Sequence, residues 1–285
     1  MKKFVKRLII GMGTVGALVI VARALENRFI FWPEKDLVGS PENLGLQYEN
    51  VTLEPAPGVQ IHGWYVPHPE ARAMVLYLEG NGGNRSGRLA HINLLHGLGC
   101  SVLIMDYEGY DGSDGSPSEN AVYRDGRAAR VWIRQEPAAR NLPEVLFGES
   151  LGGAVAIRMA REVAPAGLIV DHSFTRMPDM ADKVCFGLPV GFLCASQYNS
   201  IQSIRYYHGP LLVMHGDKDK FIPIEQGRRL FAAANEPKRF FTIHGAPHEQ
   251  NELLRIGGDA YRETIARFLD GVEGKSVGRT IPPPD

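Results

Sequence analysis

The pattern with the plainest chemical meaning is Gly148-Glu149-Ser150-Leu151-Gly152-Gly153. A serine hydroxyl attacks poorly until a base takes its proton, and that base needs an acid to orient it. Glycine-x-serine-x-glycine sets the serine on a strained turn between a strand and a helix, where larger neighbours would collide. Oγ then projects beyond the sheet, with a helix N-terminus behind it that favours developing negative charge. Downstream, His215-Gly216-Asp217-Lys218-Asp219 comes after one apolar run and Gly245-Ala246-Pro247-His248 after the next. The chain order serine, aspartate, histidine suits such a turn. The expected chemistry is nucleophilic acyl transfer, with Ser150 as nucleophile, His248 as base and then acid, and an orienting carboxylate from Asp217 or Asp219. Spacing rules leave those two aspartates open. His244 is a rival base, although it ends a predicted strand. The oxyanion requires two donors: the backbone N–H of Leu151 and, from the glycine-rich loop Leu78-Glu79-Gly80-Asn81-Gly82-Gly83-Asn84, the N–H of Asn81.

Other chemistries have less support. No HExxH occurs, and His62, His68, His91, His96, His172 and His208 lack metal-ligand spacing, so neither a metal nor an organic cofactor is expected. Gly11-Met12-Gly13-Thr14-Val15-Gly16 matches a dinucleotide fingerprint, but Pro33 and a turn-rich stretch stand where a βαβ half would be required. Thirty-one basic against 32 acidic side chains give a net charge of -1, leaving no global field for nucleic acid. Three cysteines are too few for a disulfide scaffold, although Cys185 and Cys194 could close one small loop in an oxidising compartment.

The elements that must carry these residues are legible from residue 45 on. Strands are predicted at 48–53, 61–66, 73–78, 100–106, 144–148, 167–171, 210–215 and 239–243. Pro57-Gly58 makes the first two a hairpin. Helices are expected at 85–97, 117–135, 151–164, 225–234 and 252–269, the second opening on a capping box of Ser116, Pro117 and Glu119. Runs such as Val75-Leu76-Tyr77-Leu78 are apolar on both faces, as in parallel strands covered by helices. The fold class is α/β, a mostly parallel doubly wound sheet, on which ligands gather at the carboxyl ends of the strands. Residues 173–209 are long for a connection and are expected to form a cap. Phe174, Met177, Met180, Phe186, Leu188, Phe192 and Leu193 in it are expected either to line an acyl pocket or to be the cap's own core. After Gly271 a Gly- and Pro-rich tail is expected to be disordered.

The amino terminus differs. Lys2, Lys3, Lys6 and Arg7 precede fifteen uncharged, mostly apolar residues at 8–22. This reads as a membrane anchor, or as a signal peptide cleaved near Ala22-Arg23-Ala24. Fifteen is short for a bilayer core of about 30 Å. Phe29-Ile30-Phe31-Trp32 would lengthen the stretch as an interfacial aromatic belt.

With these motifs in place, the chain resembles the serine α/β-hydrolases, and among them the membrane-anchored bud-emergence-like family, related to the serine aminopeptidase domain and to protein depalmitoylases. The resemblance runs from about residue 29 to 269. It rests on Phe31-Trp32-Pro33, Gly63-Trp64-Tyr65-Val66-Pro67, Glu79 to Arg85, Asp106-Tyr107-Glu108-Gly109-Tyr110, the serine turn, His215 to Pro223, and Gly245 to His248. It implies an α/β-hydrolase fold, with an eight-stranded mostly parallel sheet and a small helical cap. It also implies that the acid of the loop pattern HGxxDxxVP is Asp219. Two residues depart from the family pattern: Glu79 stands where a histidine is usual, bringing negative charge toward the intended oxyanion, and Asp111 stands where a second glycine is usual. The expected function is hydrolysis of a carboxylic ester or thioester through Ser150, His248 and Asp219. The alternatives are an aminopeptidase-like enzyme, with Glu79 or Glu149 receiving the substrate amine, and a non-catalytic membrane-tethered scaffold. Expected partners are a small-molecule or lipid acyl ester and, through the N-terminal segment, a membrane, with no nucleic acid; the chain is expected to be a monomer. The expected organisation is an anchor or signal at 1–27, a hydrolase domain at 28–270 with its cap at about 173–209, and a tail at 271–285. The expected placement is a single membrane pass, the N-terminus cytoplasmic and the catalytic domain on the far side, or secretion after cleavage.

Overall fold

A computed structural model describes residues 25–273. One sheet is built from β1 (Glu49–Ala56), β2 (Val59–Val66), β3 (Ala73–Leu78), β4 (Cys100–Met105), β5 (Glu144–Glu149), β6 (Gly167–Asp171), β7 (Leu211–Gly216) and β8 (Lys238–Ile243). Its order is β8-β7-β6-β5-β3-β4-β2-β1. Pairing is parallel from β8 through β4, while β2 runs antiparallel to β4 and to β1. After the first strand the α-helices are α1 (Leu89–His96), α2 (Glu119–Gln135), α3 (Leu151–Glu162), α4 (Met177–Val184), α5 (Ser200–Ser203), α6 (Ile224–Ala233) and α7 (Gln250–Val272).

Alternation along the central strands explains why the sheet is covered on both faces. In β3, Met74, Leu76 and Leu78 join one apolar cluster with residues of α2, α3 and α6. Val75 and Tyr77 join the other, with residues of α1 and α7. β4 repeats this, with Leu103 and Met105 on the first face and Val102 and Ile104 on the second. Each such side chain contributes about 1.5–3 kcal/mol by leaving water, so the central strands are rigid mounts for the loops at their carboxyl ends.

Two helices depart from expectation for local reasons. Helix α2 begins two residues late, capped by Ser118, whose Oγ accepts from the Ala121 amide at 3.2 Å. Pro117 is committed elsewhere: its ring lies against Gly109, where a Cβ would come within 2.8 Å of Cδ. Glu119 does not close a capping box, and its carboxylate accepts from the Gln197 and Tyr198 amides at 2.6 and 2.7 Å. Helix α7 is broken at Gly258, where φ is 47° and ψ is -135°, and continues to buried Val272. The tail beyond residue 273 lies outside the described residues.

The N-terminal expectations require correction. Residues 25–30 are helical, but Phe29 to Trp32 are not a belt, because Ile30 and Phe31 are buried in the domain core. Trp32-Pro33 pairs in parallel with Gly82-Gly83. Among the described residues no helix is long and apolar enough to cross a membrane, so the expected single-pass placement is not supported. The apolar run at 8–22, with the fingerprint match at 11–16, lies outside the described residues.

Between β6 and β7 the chain makes an excursion holding α4, α5 and two short 3-10 turns. The seven apolar residues, expected there either to line a pocket or to be the cap's own core, divide, with Leu193 half-buried. Phe174 and Met180 are buried in the main core, with half-buried Met177 packed against it. Phe186, Leu188 and Phe192 face outward, Phe186 being 97% exposed. One face of α4 packs down onto the domain while the loop beyond it turns away, so the set does not close around one cavity. Cys185 is a free thiol, as is Cys100, so the small loop expected between Cys185 and Cys194 is not closed.

Candidate active site

Ser150 stands between β5 and α3 with φ 52° and ψ -114°, a conformation that costs about 1–3 kcal/mol and persists only when its surroundings enforce it. The enforcement is visible. Its amide donates to the Asp171 carbonyl at 2.8 Å, and its own carbonyl accepts from Ser173 Oγ at 2.8 Å. Both glycines of the pattern are sterically required: a Cβ at Gly148 would lie 2.3 Å from the Gly152 carbonyl oxygen, and one at Gly152 would lie 1.9 Å from the Leu78 carbonyl oxygen.

The loops after β7 and β8 bring the expected partners together. Ser150 Oγ lies 3.2 Å from His248 Nε2, and His248 Nδ1 lies 2.7 Å from Asp219 Oδ2. A carboxylate facing Nδ1 requires the proton there, which leaves Nε2 able to accept from Ser150. Asp219 is held in turn, since its Oδ1 accepts from the Phe221 and Ile222 amides at 2.9 and 2.7 Å. Burial by itself would raise the Asp219 carboxyl, but hydrogen bonds from His215, His248 and the Ile222 amide outweigh it and hold the group well below the usual carboxylate range.

Asp217 makes a separate pair with the rival base. Its carboxylate meets His244 Nδ1 at 3.0 Å and accepts from the Gly245 amide at 2.7 Å. This pair joins the two loops at the surface and makes no contact with Ser150.

The loop after β3 passes directly beside the serine, since a Cβ at Gly80 would stand 3.5 Å from Ser150 Cβ. Two of its carbonyls are held by buried tyrosines: Tyr107 donates to Glu79 O at 3.0 Å and Tyr110 donates to Asn81 O at 2.7 Å. Leu151 opens α3 immediately after Ser150. Glu79 is fully buried, and desolvation together with neighbouring Asp106 raises its carboxyl well above the usual range, which favours the neutral form over the expected negative charge. Glu149, also buried, accepts from Tyr77 Oη at 2.9 Å and from Arg88 Nε at 3.1 Å. Neither carboxyl is therefore placed to receive the ammonium of a peptide substrate. Asp111, standing where glycine was expected, adopts φ 30° and is tied to Arg85, which also binds Asp106.

Several supporting residues carried no legible role in the sequence. His215 Nε2 donates to the Ile222 carbonyl at 2.8 Å and lies 3.5 Å from Asp219 Oδ2, steadying the acid loop. His172, at φ 51°, hydrogen-bonds Asp171 through Nδ1 and accepts the Gly216 amide at Nε2, 2.7 Å away. Tyr261, from α7, donates to the same aspartate at 2.6 Å. The HG pair before Asp217 was a signal for His215; nothing local marks Tyr261, which is 90 positions from Asp171. Among the described residues no group of three or more His, Cys, Asp or Glu side chains is placed to hold a metal ion.

A serine turn after β5, an aspartate loop after β7 and a histidine loop after β8, mounted on this sheet, define an α/β-hydrolase fold. An esterase of Pyrococcus furiosus, Pf2001, superposes with a TM-score of 0.73 at 18% identity, over 86% of this chain and 99% of that one. No protein-family model matches the chain. An uncharacterized protein of Mycobacterium tuberculosis, Rv2307c, is 37% identical over 246 residues, covering 86% of this chain and 87% of that one. Protein bem46 of Schizosaccharomyces pombe is 29% identical over 245 residues, covering 82% of this chain and 81% of that one. The chain belongs to the bud-emergence-like family of α/β-hydrolases.

Proposed function

We propose that the protein is a serine hydrolase of carboxylic esters or thioesters. The observation that carries this reading is the hydrogen-bond chain Ser150–His248–Asp219, with 3.2 and 2.7 Å links, at the carboxyl ends of parallel strands of one sheet. Ser150 Oγ attacks the substrate carbonyl as His248 Nε2 takes its proton, and Asp219 stabilises the imidazolium. The oxyanion is received by the backbone N–H groups of Asn81 and Leu151. Collapse expels the alcohol or thiol, protonated by His248, and leaves an acyl-enzyme; water, deprotonated by His248, then releases the acid. Residues 173–209 act as the cap, and Phe221, whose ring lies 5.1 Å from that of His248, offers apolar surface at the reacting centre.

Pre-steady-state hydrolysis of p-nitrophenyl acetate and of longer acyl esters tests this. The expected trace is a burst of nitrophenolate of about one equivalent per chain, then slower turnover, as accumulating acyl-enzyme demands. No hydrolysis of any oxygen ester or thioester by the folded protein would refute it.

A further inference from the structure

Oxyanion donors must be held within about 0.5 Å of their working positions, yet the loop at 79–84 has little regular structure of its own. Its fixings come largely from residues 30–36, about fifty positions before it in the chain. The Trp32 amide donates to Asn81 O at 2.9 Å and the Glu34 amide to Gly83 O at 3.0 Å. In the opposite direction, Asn81 Nδ2 donates to Ile30 O at 2.6 Å, and Asn84 Nδ2 donates to Glu34 O at 3.2 Å and Asp36 O at 2.9 Å. The strap has its own anchors. Ile30 and Phe31 are buried in the main core, and just upstream Glu26 accepts from the Ala195 and Ser196 amides at 2.6 and 3.0 Å, tying the same segment to the excursion before β7.

Asn81 is the meeting point. Its carbonyl is gripped from two sides, by Trp32 and by Tyr110, while its side-chain amide reaches back to Ile30. Of its main-chain groups, that leaves the N–H for Asn81 to direct toward the serine, beside which the preceding residue Gly80 already lies. We propose that residues 30–36 are a positioning strap for the oxyanion loop and that the Asn81 side chain is its clamp, setting turnover without touching substrate. This rests on the reading of Ser150 as nucleophile with the Asn81 N–H as an oxyanion donor.

Asn81→Ala removes the clamp and retains the backbone donor. Trp32→Pro removes one strap donor and little buried surface, because proline lacks an N–H and the indole is 55% exposed. Both variants and the wild type would be compared for kcat and KM on one p-nitrophenyl ester, for melting temperature, and for hydrogen exchange at residues 79–84. The expected result is kcat lower by about 10- to 100-fold in Asn81→Ala, the loss that comes from misplacing a donor by about 1 Å. KM and melting temperature should be nearly unchanged, exchange in the loop faster, and Trp32→Pro should move in the same direction. If Asn81→Ala does not fold, Trp32→Pro decides alone. Normal turnover by the wild type with both variants within twofold in kcat would overturn the strap and leave the hydrolase reading standing. A fall in kcat that only tracks a fall in melting temperature would also overturn it, as general destabilisation. Absence of any turnover by the wild type would overturn the parent reading, and the strap with it.

Discussion

Replacing Asp219 by asparagine separates the acid from its rival with one atom. Asp219 Oδ1 accepts two backbone amides, from Phe221 and Ile222, whereas Oδ2 faces His248. An asparagine keeps its carbonyl oxygen where two donors wait, because reversing it would leave both amides facing an NH2 group. Its NH2 therefore points at His248 Nδ1, which must become an acceptor. The imidazole proton moves to Nε2, facing Ser150 Oγ 3.2 Å away, and the base can no longer take the serine proton. A forced wrong tautomer of this kind lowers kcat by about 10⁴-fold, about 5.5 kcal/mol in the transition state. Asp217→Asn disturbs only the His244 and Gly245 contacts and should leave kcat within about threefold, an effect below about 1 kcal/mol. Steady-state ester hydrolysis at pH 7.5, with circular dichroism to confirm folding, measures both. Retention of more than a tenth of wild-type kcat by Asp219→Asn, or an equal loss in Asp217→Asn, would show that Asp219 does not set the imidazole tautomer.

Gly152→Ala should abolish ester turnover and lower stability by at least about 1–3 kcal/mol in urea titration, because its Cβ would sit 1.9 Å from the Leu78 carbonyl oxygen and the β3 loop cannot yield without moving. Arg130→Leu should cost about 3–5 kcal/mol in the same assay: Arg130, nearly fully buried, pairs with buried Glu144 and also donates to the Met159 and Val163 carbonyls, and its loss strands a carboxylate. Glu79 gives a pH signature. Because its folded pKa is raised, its contribution to stability is fully present below the unfolded value of about 4.3 and is lost as pH rises through the folded value. The melting temperature of Glu79→Gln relative to wild type should therefore increase as pH is raised from 4 upward; a difference independent of pH would show that Glu79 is not buried as a neutral acid.

The eight strands of the main sheet could be read because the central parallel strands, covered on both faces, are apolar throughout, as in β3 and β4, because β1 alternates buried with exposed residues, and because Gly, Pro and Asn residues punctuate them. The serine turn was legible for a related reason: backbone crossings that forbid a Cβ at Gly148 and Gly152 impose glycine at fixed spacing. His248 and the aspartate loop could be placed from strand order, but Asp219 was separated from Asp217 only by resemblance. Both stand on one loop, and only the folded chain shows which carboxylate turns inward. Contact across long separations did not read. Phe29 to Trp32 come after an apolar run and mimic a membrane belt; that Ile30 and Phe31 enter the core depends on side chains far along the chain. Ser116 and Ser118 are equivalent as helix caps until Pro117 is seen packed on Gly109. The apolar residues of 173–209 carry no periodicity that separates Met180, which faces inward, from Phe186, which faces water. Glu79 read as a charge because burial, which favours its neutral form, is not local information.

Activation of Ser150 is tested without assuming a substrate by labelling the intact protein and Ser150→Ala with a fluorophosphonate probe. Intact mass and mapping of the labelled peptide give the readout, with both proteins shown to be folded. One adduct per wild-type chain is expected, located on Ser150, and none on Ser150→Ala. Equal labelling of both proteins, or no labelling of a folded wild type, would contradict an activated serine at this turn.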